Sequence, residues 1–197
     1  MPFVFKRLAL LMSIAGAFAA DKDGAFKPAA AASYEHHQTN AQVTIGVDPY
    51  VSGSKVKTAF GKLNPYDHGV LPVLVVIQND SDQTIRLDAL KAAYVGPNGD
   101  RVPATPSRDV RYARAPTQPG VIPGPVGPVP GRLKKNPLDA WEIEGRSLIA
   151  HMLPAGQTAS GFLYFQTGLQ RGATIYLSGL SEAKSGKELF YFEIPLQ

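Results

Sequence analysis

The chain has 197 residues, with 20 Lys and Arg against 16 Asp and Glu, a formal charge of +4, and no cysteine. So small and scattered a positive charge argues against nucleic acid, which is held by Lys and Arg gathered on one face. The missing cysteine excludes disulfides, thiol catalysis, cysteine-held zinc or iron–sulfur groups, and a lipid anchor on cysteine.

The N-terminus has the three-part layout of a secretory signal. Lys6 and Arg7 precede an apolar run over residues 8–19, and Ala17-Phe18-Ala19 has the A-x-A form that signal peptidase cuts after. The run is too short to span a bilayer comfortably. Residues 1–19 are therefore expected to be a signal peptide, with the working protein starting near Ala20 and exported to the bacterial periplasm or the medium. Losing them removes two of the 20 basic residues and leaves enough chain for one domain with a real core. No later segment approaches the length of a membrane span, so none is expected after cleavage.

Residues 20–42 mix charges, the alanines 29–32 and polar residues without apolar periodicity, and predict a flexible leader. The folded body is expected over residues 43–197. Val43, Ile45 and Val47 alternate with Thr44 and Gly46, which predicts a half-buried strand. Residues 56–60 read as a second, weaker strand. Residues 70–77 are nearly all β-branched or leucine, the pattern of a central strand apolar on both faces, with Pro72 tolerated near its start. Asn79-Asp80-Ser81-Asp82 then turns the chain.

Ile85 and Leu87 alternate with Arg86 and Asp88 as a further strand. Residues 90–95 and 101–104 form a hairpin around Gly96-Pro97-Asn98-Gly99, where Asn-Gly supplies positive φ cheaply. Residues 110–113 suggest a short edge strand.

Residues 115–131 differ in kind. Pro116, Pro119, Pro123, Pro125, Pro128 and Pro130 are interleaved with Gly120, Gly124, Gly127 and Gly131. Proline lacks the amide donor and glycine resists fixing, so neither helix nor ladder is expected, only a partly extended excursion.

Beyond it, Asn136 as N-cap, Pro137 at the first helical position and Asp139 in the first turn predict a helix. Leu138, Trp141, Leu148 and Met152 fall on one stripe with Gly145, so either the helix continues or it stops at Gly145 and residues 147–152 form a strand. Residues 158–165 and 173–177 and a terminal strand over 189–194 follow. Eight or nine short strands between Gly, Pro, Asn and Asp turns read as a β-sandwich.

Three segments resemble the immunoglobulin-like domains of uncharacterised exported bacterial proteins. Gly69-Val70-Leu71-Pro72-Val73 through Asn79-Asp80-Ser81 is similar to their apolar strand and N-x-S turn. Leu153-Pro154-Ala155-Gly156 through Gly161-Phe162-Leu163-Tyr164-Phe165 is similar to their L-P-x-G entry into a later strand, and residues 188–196 to their closing strand. The resemblance implies an all-β, immunoglobulin-like β-sandwich with one short helix and a long Pro/Gly-rich loop. It brings no catalytic residues with it.

Chemistry is sparse in the residues themselves. No G-x-S-x-G elbow occurs, and a hydrolytic triad would have to be assembled by geometry alone. His36 and His37 are adjacent and point apart in an extended chain, and neither they nor His68 and His151 show metal-ligand spacing. Glu142 and Glu144, two apart, do not face each other on a helix and read as a solvated edge. Asp80 and Asp82 lack the rest of a calcium loop. No catalytic, cofactor or metal site is expected, and the protein reads as non-enzymatic.

Two surfaces remain. Pro119, Val121, Ile122, Pro123, Pro125, Val126, Pro128 and Val129 carry P-x-x-P spacing and apolar side chains that suit contact with an envelope or secreted protein. Phe162, Tyr164, Phe165, Tyr176, Phe190, Tyr191 and Phe192 crowd the last strands, and would suit a glycan-binding face if exposed rather than core. An extracytoplasmic hydrolase is the third and weakest reading.

Overall fold

The computed structural model describes residues 26–113 and 136–196. Its architecture is mostly β-sheet, in three antiparallel sheets with few helices. The first sheet holds β1 (His36–Asn40), β2 (Val43–Pro49), β3 (Leu71–Asn79) and β8 (Thr158–Phe165), in that order. The second holds β11 (Phe192–Pro195), β9 (Thr174–Ser178), β5 (Lys91–Val95) and β6 (Arg101–Pro103). A small third sheet joins β10 (Ser181–Glu182), β4 (Ile85–Arg86) and β7 (Met152–Leu153).

Strand alternation sends odd and even residues of the first sheet to different partners. Val43, Ile45, Val47, Val73, Val75 and Ile77 pack on Tyr94, Ile175, Leu177, Phe192 and Ile194 of the second sheet, which is the sandwich core. Leu74, Val76, Phe162 and Tyr164 face the other way, into a second core. That core is covered by α1 (Gly53–Phe60) and α2 (Trp141–Gly145), together with the 3-10 turns Ala31–Ser33 and Ser107–Tyr112. β3 is thus central in its sheet and buried on both faces, as its unbroken apolar run predicts. Pro72 is accommodated where pairing with β2 ends, its carbonyl accepting from Tyr50 N–H at 2.9 Å.

The helical layer departs from the sequence reading. Residues 56–60 belong to the helix α1, not a strand. Val56, Ala59 and Phe60 fall on its one buried side at i, i+3 and i+4, the helical spacing, while a strand would put Val56, Thr58 and Phe60 on one face. Residues 110–113 lie in and just after a 3-10 turn rather than an edge strand, with Val110 buried beneath it. β2 is buried along Val43–Val47 rather than on one face, because the helical layer covers the side that Thr44 and Gly46 present. Ala31 explains the glycine: a Cβ at Gly46 would lie 2.4 Å from its carbonyl oxygen.

Residues 26–42, assigned by sequence to the leader, are built into the body. β1 pairs with β2 along its length, from His36↔Val47 to Asn40↔Val43. Tyr34 lies beside Gly46, and Phe26 packs on Phe162 with ring centroids 5.4 Å apart. The signal peptide assigned to residues 1–19 and the Pro/Gly excursion assigned to 115–131 lie outside the described residues. Among the described residues no helix is long and apolar enough to cross a membrane.

The N-x-S turn is a structural joint. Asn79 is fully buried, its amide donating to the carbonyls of Gln83, Leu153 and Pro154 at 2.8 to 3.1 Å. Its Oδ1 accepts from Ser81 Oγ at 2.6 Å and from Ser81 N–H at 3.1 Å. One side chain so fastens the end of β3 to the turn after it and to the Leu153-Pro154 entry into β8. The third sheet is too short to hold these loops by ladder bonds alone, and the buried amide supplies what is missing.

Candidate functional site

The eight residues singled out by sequence, Pro119 to Val129, lie outside the described residues, which stop at residue 113 and resume at 136. The described residues on either side of that gap meet on the helical layer. Asn136 Nδ2 donates to the Arg111 carbonyl at 2.6 Å, while its Oδ1 accepts from Leu138 N–H at 3.0 Å. The Arg111 guanidinium reaches Asp139 at 3.0 Å and also pairs with Glu144 on α2. Both carboxylates push the Arg111 pKa further above its ordinary value, the hydrogen bond to Glu144 first and the charge of Asp139 next. Asn136 is therefore a cap, as the sequence suggests, but of a turn. α2 begins later, at Trp141.

Two large side chains stand out at this base. Tyr112 follows Arg111, and Trp141 opens α2 with 70% of its surface exposed. Trp141 lies across Gly145, where a Cβ would come within 3.0 Å of the indole. Gly145 and Trp141 therefore share a local reason, and the stripe through Leu148 and Met152 is not one helical face. Residues 147–151 run as an irregular strap after α2, and Met152 and Leu153 form β7. That settles the choice left open by the periodicity.

Beneath the base, Phe162 is the hub of an aromatic cluster, with Phe60 at 4.7 Å and Tyr50 at 5.0 Å between centroids. Burial pushes the Tyr50 hydroxyl up to about 12, with the nearby Asp48 charge adding to it. Burial pushes Tyr164 higher still, and its hydroxyl donates to the Ile143 carbonyl at 2.8 Å. Arg146 lies over Phe26 at 5.0 Å, its buried Nε without a hydrogen-bond partner among the described residues. No sequence pattern marks Arg111, Arg146 or Phe26 as site residues. Only the fold brings Arg146 over Phe26 and Arg111 to Asp139 and Glu144.

The aromatic strands divide between core and surface. Phe162, Tyr164, Phe165 and Phe192 are buried. On the outer face of the second sheet, Tyr176 stacks on Tyr191 at 5.3 Å, and the Arg101 guanidinium lies 4.9 Å above the Tyr176 ring. Glu193 is the cross-strand partner of Tyr176. Tyr191 is 52% and Phe190 76% exposed.

The titratable residues weighed in the sequence are dispersed. His37 Nδ1 bonds the Tyr34 carbonyl at 2.7 Å, His68 ends the 3-10 turn Pro65–His68, and His151 lies on the strap. Glu144 is tied to Arg111, and Asp80 accepts from Gln78 at 2.9 Å. Among the described residues no three His, Asp or Glu side chains converge in a way that could hold a metal ion.

No protein-family model matches the chain, and a search of curated proteins by sequence finds no relative. Among solved structures it is similar to a functionally unknown protein from Listeria monocytogenes EGD-e, at 15% identity and a TM-score of 0.37, over 81% of this chain and 79% of that one. It is similar to the yjhA protein of Bacillus subtilis at 12% identity and a TM-score of 0.37, over 73% and 79% of the two chains. A third is the archaellum periplasmic stator complex of FlaF and FlaG from Sulfolobus acidocaldarius, at 14% identity and a TM-score of 0.31, over 61% and 76%.

Proposed function

We propose that this protein is an exported β-sandwich of immunoglobulin-like type that works by contact with an envelope or secreted protein, without catalysis. The observation that carries the reading is the contact set of Arg111 with Asn136, Asp139 and Glu144. It ties together the described residues that flank the Pro/Gly/Val-rich segment in sequence, beside exposed Tyr112 and Trp141. Exposed Trp and Tyr beside Arg111 have the composition of contact hot spots. The signal sequence supplies the compartment.

The test is a photo-crosslinking residue at Trp141 or Tyr112 in the producing cell. The expected result is one recurrent partner, lost when residues 116–131 are replaced by a short Gly-Ser linker. Capture that survives the replacement would reduce the segment to a tolerated insertion. Mass analysis of the exported protein is expected to place the N-terminus next to Ala20. Retention of residues 1–19 in the membrane fraction would overturn the compartment.

A second reading has its own observation, the Tyr176–Tyr191 stack with Arg101 above it and Glu193 beside it. Aromatic faces flanked by hydrogen-bonding charges suit sugar rings. Affinity electrophoresis through immobilised polysaccharides tests it, with Tyr191→Ala expected to abolish retardation.

A further inference from the structure

A groove of about 330 Å³ runs beside β8, open to solvent along one side. Residues 104–108 form one wall, residues 147–149 the other, and Phe162, Leu163 and Tyr164 the floor. It exists because the free edge of β8 is claimed by two segments that diverge. Ser147 bridges Phe162 in the parallel sense, whereas Thr105 bridges Tyr164 in the antiparallel sense.

The backbone groups at that edge are already used. Phe162 N–H donates to the Arg146 carbonyl at 2.8 Å, and its own carbonyl accepts from Leu148 N–H at 3.1 Å. The Tyr164 carbonyl accepts from Thr105 N–H at 2.7 Å. A peptide arriving as an added strand would find few partners, which disfavours strand addition here. What the groove offers instead is the apolar surface of Leu148, Ile149 and Leu163, a few hydroxyls, and Arg108 as its charged wall residue. Arg108 makes none of the ion pairs found among the described residues.

We propose that this groove binds a small carboxylic acid with an apolar body, an aliphatic or aryl monocarboxylate. The carboxylate meets the Arg108 fork, whose planar donors match its two oxygens, and the body lies along Leu148, Ile149 and Leu163. The volume sits near the lower end of small-molecule sites, which suits one compact acid.

The experiment titrates the isotopically labelled protein, purified as its host makes it, with octanoate and separately with octanamide. Expected are saturable shifts in the amides of residues 105–108 and 147–149 with octanoate, and binding about tenfold or more weaker for octanamide, the loss of one charge-assisted contact. Arg108→Gln, at an exposed position, is expected to weaken octanoate by the same factor and leave octanamide unchanged. Ile149→Asp, also exposed, sets a carboxylate at the groove and is expected to repel octanoate while the remaining spectrum stays native. Equal binding of acid and amide, no effect of Arg108→Gln, shifts centred elsewhere, or no saturation would each overturn the assignment. A hydrophobic tetrapeptide that shifts these amides where octanoate does not would replace the small acid with a protein tail.

Discussion

The two faces of the first sheet are built from different residues and hold different kinds of layer. Toward the second sheet it presents Val43, Ile45, Val47, Val73, Val75 and Ile77, branched aliphatics that interdigitate with Ile175, Leu177 and Ile194. Toward the helices it presents Phe162 and Tyr164, which meet Tyr50, Phe60 and Phe26. The second sheet brings its own ladder, so its contribution to the sandwich needs only area. The helices have eight and five residues, too few to persist alone, and are held by the rings they lie on. The Arg111–Asn136 contact and exposed Trp141 belong to the layer that depends most on its support, whereas the groove lies at the β8 edge between the two cores. A contact surface on such a layer can adjust without disturbing the sandwich.

The sharpest way to break this comparison is to remove the hub on one side and an aliphatic on the other. Phe162→Ala is expected to cost about 3–5 kcal/mol and Ile45→Ala about 2–5 kcal/mol. Cost alone does not separate them, but hydrogen exchange does. Phe162→Ala should speed exchange in α1 and α2 ahead of β2 and β3, whereas Ile45→Ala should lower protection everywhere together. Uniform loss in both variants would mean the two layers unfold as one unit.

A smaller effect is expected from Gly46→Ala, about 1–3 kcal/mol, because the new Cβ would meet the Ala31 carbonyl at 2.4 Å. The strain falls on the helical side, so the sandwich amides should keep their protection. An equal loss on both sides would show that the Ala31–Ser33 turn is part of the sandwich's own support.

Alkaline pH probes the same layer. Tyr50 is pushed from an ordinary 10.0 to about 12 and Tyr164 is pushed up further, both first by burial. The folded state then holds these protons more tightly than the unfolded chain does. Their stabilisation is complete below about pH 10; the Tyr50 share is lost as pH rises through about 12, and the Tyr164 share continues to fall above it. The helical layer should loosen over that window, followed by tyrosinate absorbance and by circular dichroism. Tyr164→Phe should remove part of the slope. An unchanged slope would place the titration elsewhere, with Tyr94 on the sandwich side, also raised by burial, as the next residue to replace.

The sandwich half was largely legible in the sequence because period-2 alternation and a doubly apolar β3 leave few alternatives. The Gly96-Pro97-Asn98-Gly99 hairpin is read from chemistry alone, with Gly99 at φ 85°. β1 is not. His36-His37-Gln38-Thr39-Asn40 has one β-branched residue, and its turn is Ala41-Gln42, at φ 47° and 60°, a conformation such residues rarely take. The register with β2 holds the strand, and local propensity does not. α1 is short enough that its helical spacing, Val56 with Ala59 and Phe60, rests on three residues and competes with the strand alternation of Val56, Thr58 and Phe60. Arg111 and Asn136 lie 25 positions apart on either side of a segment with no pattern linking them. Replacing Ala41-Gln42 by Asn-Gly should therefore stabilise the protein by roughly 1 kcal/mol. Thermal unfolding measures it, and no gain would mean that β1 is held so firmly that its turn does not matter.

The smallest expected effect concerns the closed base. Asn136→Ala removes the donor to the Arg111 carbonyl and the acceptor for Leu138 N–H, two partly exposed bonds, and should cost about 0.5–1.5 kcal/mol. The backbone at both ends stays in place through Leu138, Val110 and Ile143, which are buried independently. What changes is how firmly Arg111 and Asn136 are kept together. If the helical layer is the working face, this variant should lose crosslinking at Trp141 well beyond what its small stability loss explains. Asp139→Asn, which keeps the Asn136 bonds and removes one charge from Arg111, should lie between it and the native chain. Full partner capture in both variants, with the stability loss as expected, would separate the base from function and direct the search to the Tyr176–Tyr191 face of the second sheet.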